Sequence, residues 1–262
     1  FIEIINLGKL NASEMFEVAG LCRDSEKVSE SVIENISIDS MSDAELIDAI
    51  KLSNYNELVS IAIIKAGRLS NYQLMDVIKR SDSNNVVQTA IQTNKLSRDQ
   101  LLEVIRLCDL GEVNFTDMYS DVAKTAIQRI DFNSMSNIDL LKAIEASNCE
   151  YYTVENAIKT GKLNGTQLIK IISNKKFGHR WELAESAIKT SKRKLDSSQI
   201  VKLVQLGQAT YTLVMTAIET GKLSKTELLT VIKLNRKGSA MYEEYDPDDE
   251  MMKALDKTLE VK

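Results

Sequence analysis

A short pattern recurs eight times in this chain: a Leu or Met, a small polar residue, two free positions, an acid or amide, and an aliphatic residue. The copies begin at Leu10, Met41, Leu69, Leu96, Met135, Leu163, Leu195 and Leu223, in steps of 31, 28, 27, 39, 28, 32 and 28 residues. The unit is therefore about 28 residues long, with insertions. Repetition at this period is the mark of a chain built from stacked supersecondary units, each too small to bury its apolar face alone.

Each copy reads as a helix start. The second position is Asn11, Ser42, Ser70, Ser97, Ser136, Asn164, Asp196 or Ser224, all good N-caps. Three residues later stand Glu14, Glu45, Gln73, Gln100, Asp139, Gln167, Gln199 and Glu227, which is the spacing of a capping box. The residue before each cap can meet an apolar residue one turn into the helix, as Leu163 can meet Leu168, forming a hydrophobic staple. Apolar pairs such as Val77-Ile78, Val104-Ile105 and Val231-Ile232 continue a single buried stripe.

A second segment in each unit carries Ala-Ile three residues after an aliphatic or small residue. The copies are Val59 to Ala62-Ile63, Val87 to Ala90-Ile91, Ala123 to Ala126-Ile127, Val154 to Ala157-Ile158, Ala184 to Ala187-Ile188 and Val214 to Ala217-Ile218. This predicts a shorter second helix. It often ends in Gly plus a base (Gly67-Arg68, Gly161-Lys162, Gly221-Lys222), where Gly takes a left-handed C-terminal position and the cation faces the negative end of the helix dipole. Two helices per unit, short links and no strand signal predict an all-α chain. The expected architecture is a right-handed α-solenoid of about eight two-helix repeats, forming one domain over residues 1–262. Ile4 to Lys9 matches the end of a second helix, so the sequence reads as a fragment of a longer chain. A loop near Leu110 to Thr116 explains the longest step, and an acidic insert over 239–250, with the only proline at Pro247, interrupts the last unit.

This capped-hairpin arrangement resembles the HEAT and armadillo class of α-solenoids over the whole chain. The first helix, as in Leu195-Asp196-Ser197-Ser198-Gln199-Ile200-Val201-Lys202-Leu203-Val204, is also similar to the first helix of TAL-effector-like DNA-binding repeats. The first resemblance implies a helical-repeat scaffold, and the second a nucleic-acid-binding reading.

Composition excludes several classes. With 44% hydrophobic and 27% charged residues, 10 Gly and one Pro, the chain has enough apolar surface for a core and is not a disordered or collagenous sequence. No apolar run reaches the roughly 18 residues of a membrane span, so no membrane partner is expected. Cys22, Cys108 and Cys149 fit neither a disulfide framework nor a zinc site, and point to a cytoplasmic or other reducing intracellular compartment. Cys22 and Cys108 stand where other copies carry Ser53, Ser81 and Ser147, and read as small packing residues. His179 is the only histidine. Thr-Gly-Lys-Leu at 160–163 and 220–223 lacks the flanking residues of a phosphate-binding loop and reads as a helix cap. No catalytic, cofactor or metal residues are identified, and the chain is read as not an enzyme.

Charge is unevenly distributed. Residues 1–60 are net −8 and residues 159–238, with 16 bases and 5 acids, are net +11. Two clusters in the basic stretch are candidates for binding an anion or partner: Lys175, Lys176, His179, Arg180 and Trp181 in one link, and Lys189, Lys192, Arg193 and Lys194 in the next. Cations beside the single Trp suit an acidic protein patch, and also suit phosphate contact with stacking. Tyr55, Tyr119, Tyr151, Tyr152, Trp181 and Tyr211 recur near second-helix starts and are expected to be half-buried packing residues. Thr89, Thr125, Asn156, Ser186 and Thr216 form a small polar column that suits close approach between units. The resulting expectation is a non-catalytic binding scaffold for a protein or peptide, with an acidic segment docking on the basic stretch. The alternative is a nucleic-acid-binding helical-repeat protein contacting phosphates through the same stretch. Opposite charges on the two stretches also predict weak, salt-sensitive head-to-tail self-association.

Overall fold

The structure, a computed structural model, describes residues 1–110, 119–178 and 180–239. The expected loop beyond Leu110, the acidic insert and His179 thus lie outside the described residues. Those described are all-α, with no strand among them. The chain divides into two compact units, residues 1–131 with 145–150, and residues 132–144 with 151–262. The first holds α1 (Ile2–Asn6), α2 (Ala12–Leu21), α3 (Glu26–Asn35), α4 (Asp43–Leu52), α5 (Glu57–Lys65), α6 (Asn71–Arg80), α7 (Asn84–Gln92), α8 (Arg98–Leu110) and α9 (Tyr119–Gln128). The second holds most of α10 (Asn137–Ala146), then α11 (Tyr151–Lys159), α12 (Gly165–Ile172), α13 (Arg180–Ser191), α14 (Ser197–Leu206), α15 (Tyr211–Ile218) and α16 (Lys225–Ser239).

All eight predicted caps are made. Asn11, Ser42, Ser70, Asn164 and Asp196 each accept from the backbone N–H three residues on, while the Glu or Gln there accepts from the cap's own N–H. Ser97 with Gln100 and Ser224 with Glu227 do the same. Ser136 accepts from the Asp139 N–H at 3.2 Å. The anchors of the later copies are buried, among them Leu69, Met135, Leu163 and Leu195. Three second helices carry caps that had no counterpart in the sequence reading: Asn56, Ser83 and Thr210.

Those caps fix the register of the second helices, and one predicted register is corrected. Measured from their caps, α7 and α15 bury positions 3, 4, 7 and 8: Val86, Val87, Ala90 and Ile91 in α7, and Leu213, Val214, Ala217 and Ile218 in α15. In α5 the same positions are Val59, Ser60, Ile63 and Ile64, and Ala62 is only half-buried. The Ala62-Ile63 dipeptide therefore lies one residue early; the 3.6-residue period from Asn56 selects Ile63-Ile64.

Within the first unit the second helices pack in succession, α1 on α3, α3 on α5, α5 on α7 and α7 on α9. In the second unit α11 packs on α13 and α13 on α15, while the first helices run α12 on α14 and α14 on α16. Gly20 allows α2 its approach to the end of α4, since a Cβ there would stand 2.7 Å from the Leu52 carbonyl oxygen. Links after several first helices turn on two consecutive left-handed residues, Asn54-Tyr55, Asn148-Cys149 and Gln208-Ala209. Second helices end on left-handed Gly67, Gly161 and Gly221, as predicted.

The base after that glycine acts differently from the prediction. It reaches back one copy of the pattern instead of serving its own helix end. Lys162 Nζ donates to the carbonyls of Asn133 at 2.5 Å and Met135 at 2.6 Å. Lys222 donates to that of Leu195 and Arg68 to that of Met41, and Lys95, which follows left-handed Asn94 in place of a glycine, donates to those of Gly67 and Leu69. Met41, Leu69, Met135 and Leu195 all stand just before an N-cap, where a carbonyl has no intrahelical donor and needs one from outside.

Candidate binding surface

The two basic clusters sit at opposite ends of α13. Lys175 and Lys176 are exposed in the link between α12 and α13, which is pinned by buried Phe177. Arg180 and Trp181 open α13 and are half-buried; the Arg180 Nε is buried without a hydrogen-bond partner. Lys189, Lys192, Arg193 and Lys194 lie at and beyond the other end of that helix. Twelve helical residues span about 18 Å, so the two groups cannot converge on one small anion.

The second cluster is largely occupied within the chain. Lys189 pairs with Glu185, Lys192 Nζ donates to the Glu219 carbonyl at 2.8 Å, and Lys194 Nζ donates to the Gly161 carbonyl at 2.5 Å. Arg193 is exposed and has no ion pair or hydrogen bond among the described residues. Lys159 likewise pairs with Glu155 at 2.8 Å. The basic stretch therefore presents fewer open cations than its net charge suggests.

Tyr55, Tyr151, Tyr152, Trp181 and Tyr211 are all half-buried, in keeping with a packing role. The side chain of Tyr119 lies outside the described residues. Tyr151 meets the Tyr152 ring edge-on at 5.5 Å and donates its hydroxyl to the Glu182 carboxylate. Burial first, and then that carboxylate, pushes the Tyr151 hydroxyl far above its usual range. In the small polar column, Thr89, Thr125 and Asn156 donate to the carbonyl four residues back on their own helix, and Thr216 is buried.

The Thr-Gly-Lys segments are caps. Thr160 and Thr220 donate to the carbonyls of Ala157 and Ala217 at 2.7 Å, and each hydroxyl accepts from the Lys N–H two residues on. Thr93, followed by left-handed Asn94, does the same.

Two shallow clefts open in the first unit. One, of about 260 Å³, lies between the C-terminal ends of α5 and α7 and includes Thr89, Thr93 and Lys95. The other, of about 300 Å³, includes Arg23, Asp24, Asn56 and Glu57. Polar ties adjoin it: Arg23 pairs with Asp82, and the Glu57 carboxylate accepts from Ser83 Oγ at 2.7 Å and Asn85 Nδ2 at 2.9 Å. Among the described residues no group of three or more His, Cys, Asp or Glu side chains is placed to hold a metal ion. No described helix is long and apolar enough to cross a membrane.

No protein-family model matches this chain, and neither the curated proteins nor the solved structures compared with it give a match.

Proposed function

We propose that the chain is a non-catalytic binding scaffold, a right-handed α-solenoid of about eight two-helix repeats resembling the HEAT and armadillo class, that docks an acidic protein or peptide segment on its basic stretch. One observation carries the reading. Lys170, Lys175, Arg193 and Lys202 are exposed, and none has an ion-pair partner among the described residues, whereas neighbouring bases are tied to carbonyls or acids of the chain itself. Cations left open beside bases that the chain's own carbonyls and acids engage attract an anionic partner and orient it. The recurring caps and the base-to-carbonyl ties support the repeat reading, because stacked repeats draw their stability from contacts between neighbours.

A peptide array probed with the chain tests this. Retention should follow net negative charge of the peptide and fall as salt rises. Equal retention of acidic and basic peptides would overturn the reading. The nucleic-acid alternative is tested by a gel shift at about 50 mM salt, where phosphate contacts give a steep salt dependence.

A further inference from the structure

Aligned on their caps, the first helices of the two units differ in charge at one position. Six residues after the cap the first unit has Glu17, Asp48, Asp76 and Glu103. Three of these are paired within the unit: Asp48 with Lys51 at 3.8 Å, Asp76 with Arg80 at 2.9 Å, and Glu103 with Arg106 at 2.7 Å. In the second unit the same position is Lys142, Lys170 and Lys202, all exposed and none with an ion-pair partner among the described residues, and then Thr230 on α16. The position before it diverges too. In the first unit it holds buried Phe16, Met75 and Leu102 and half-buried Ile47. In the second it holds half-buried Leu141, Ile169 and Val201, and then Leu229, which is 43% exposed. Ile138, four residues before Lys142 on α10, is 61% exposed.

The geometry points to this lysine and aliphatic double column, on the first-helix face of the second unit, as the docking surface for an extended acidic peptide with interspersed aliphatic side chains. The inference rests on the binding-scaffold reading and names its surface, none of whose residues belongs to either sequence-predicted cluster. Packed helices lie about 8–10 Å apart, so lysines on α12 and its neighbour α14 repeat at about that step. An extended peptide in the polyproline II conformation has three residues per turn and rises about 3.1 Å per residue, so acids at every third residue share one face and meet one lysine per helix. The aliphatic column then has a hydrophobic side chain to cover, which desolvates it and adds affinity that charge alone does not give. A single-stranded nucleic acid fits this face less well, because its bases need aromatic platforms and the columns carry none.

The test uses the chain as it stands and a fluorescent peptide of repeated Glu-Leu-Ser units, beside a peptide of the same composition with its glutamates in one block. The periodic peptide should bind more tightly than the blocked one. A Lys142→Glu, Lys170→Glu, Lys202→Glu variant should weaken it by about tenfold or more, three exposed pairs being lost and replaced by repulsion. Ile169→Ser with Val201→Ser should weaken it several-fold at high salt, where charge contributes least. Circular dichroism on each variant establishes that the helices remain. Wild-type binding of the periodic peptide that survives the lysine reversal sinks the inference, as does no binding at all. If binding is lost instead in a Lys175→Glu, Lys176→Glu, Arg193→Glu variant, the scaffold reading stands and this surface falls. Tighter binding of a single-stranded oligonucleotide, lost with the lysine reversal, also overturns it.

Discussion

The Lys162 ammonium donates to the carbonyl of Met135, 27 positions earlier, and to that of Asn133 beside it. Met135 stands just before the Ser136 cap, where a carbonyl has no donor from the helix that follows. Replacing Lys162 by Met keeps the aliphatic stem and deletes both bonds, at a cost of about 1–2 kcal/mol. For a chain of this size that lowers Tm by about 2–8 °C. Lys170→Met, which removes an exposed and unpaired ammonium, should stay within about 0.5 kcal/mol of the parent. Denaturant titration of the two variants side by side checks the contrast.

Gly20 and Gly178 make a second pair. A Cβ on Gly20 would press on backbone, 2.7 Å from the Leu52 carbonyl oxygen and 2.9 Å from the Ser53 carbonyl carbon, so α2 and α4 would have to separate. Gly20→Ala should destabilise by about 1–3 kcal/mol, as overpacking does. Nothing lies within 4 Å of a Cβ on Gly178. Gly178→Ala should leave the thermal midpoint nearly unchanged.

What could be read from the sequence was local. A cap and its reciprocal partner lie three residues apart, so Asn164 and Gln167 could be paired without knowing anything else about the chain. The α5 register could not be fixed that way, because Ala62-Ile63 imitates the recurring dipeptide and only the cap at Asn56 shows that Ile63-Ile64 is buried. The base-to-carbonyl ties depend on how successive helices are placed, which a residue pattern does not specify. Lys192 and Lys194 therefore looked available in the sequence although both are hydrogen-bonded to carbonyls of the chain. Lys142, Lys170 and Lys202 were visible as residues, but their common face emerges only when the copies are aligned on their caps.

Two buried serines respond in opposite directions. Ser53 is fully buried and donates from Oγ to the Ile50 carbonyl at 2.9 Å. Ser53→Ala should cost about 1 kcal/mol for the lost bond. Ser60 is equally buried, yet its Oγ has no partner. Ser60→Ala relieves an unsatisfied hydroxyl and should leave stability unchanged or raise it by up to about 1 kcal/mol. Equilibrium unfolding of both variants measures the signs directly, and a loss at Ser60 equal to that at Ser53 would show that its hydroxyl is paired.

Tyr151 supplies a pH dependence whose sign follows from its surroundings. Burial and the adjacent Glu182 carboxylate both oppose the phenolate, so the folded-state pKa lies above that of the unfolded chain. The unfolded tyrosine ionises near pH 10. Below that pH both states hold the proton, and the contribution of Tyr151 to stability is fully present. As pH rises above about 10 the unfolded chain releases the proton while the folded chain retains it, so stability falls with increasing pH. Tyr151→Phe removes this slope along with the hydrogen bond to Glu182, which costs about 1–3 kcal/mol at neutral pH. Denaturation midpoints followed from about pH 8 upward should therefore show the parent more stable at first, with the gap to Tyr151→Phe closing above about pH 10. A gap that stays constant through the alkaline range would mean that the Tyr151 hydroxyl titrates alike in both states.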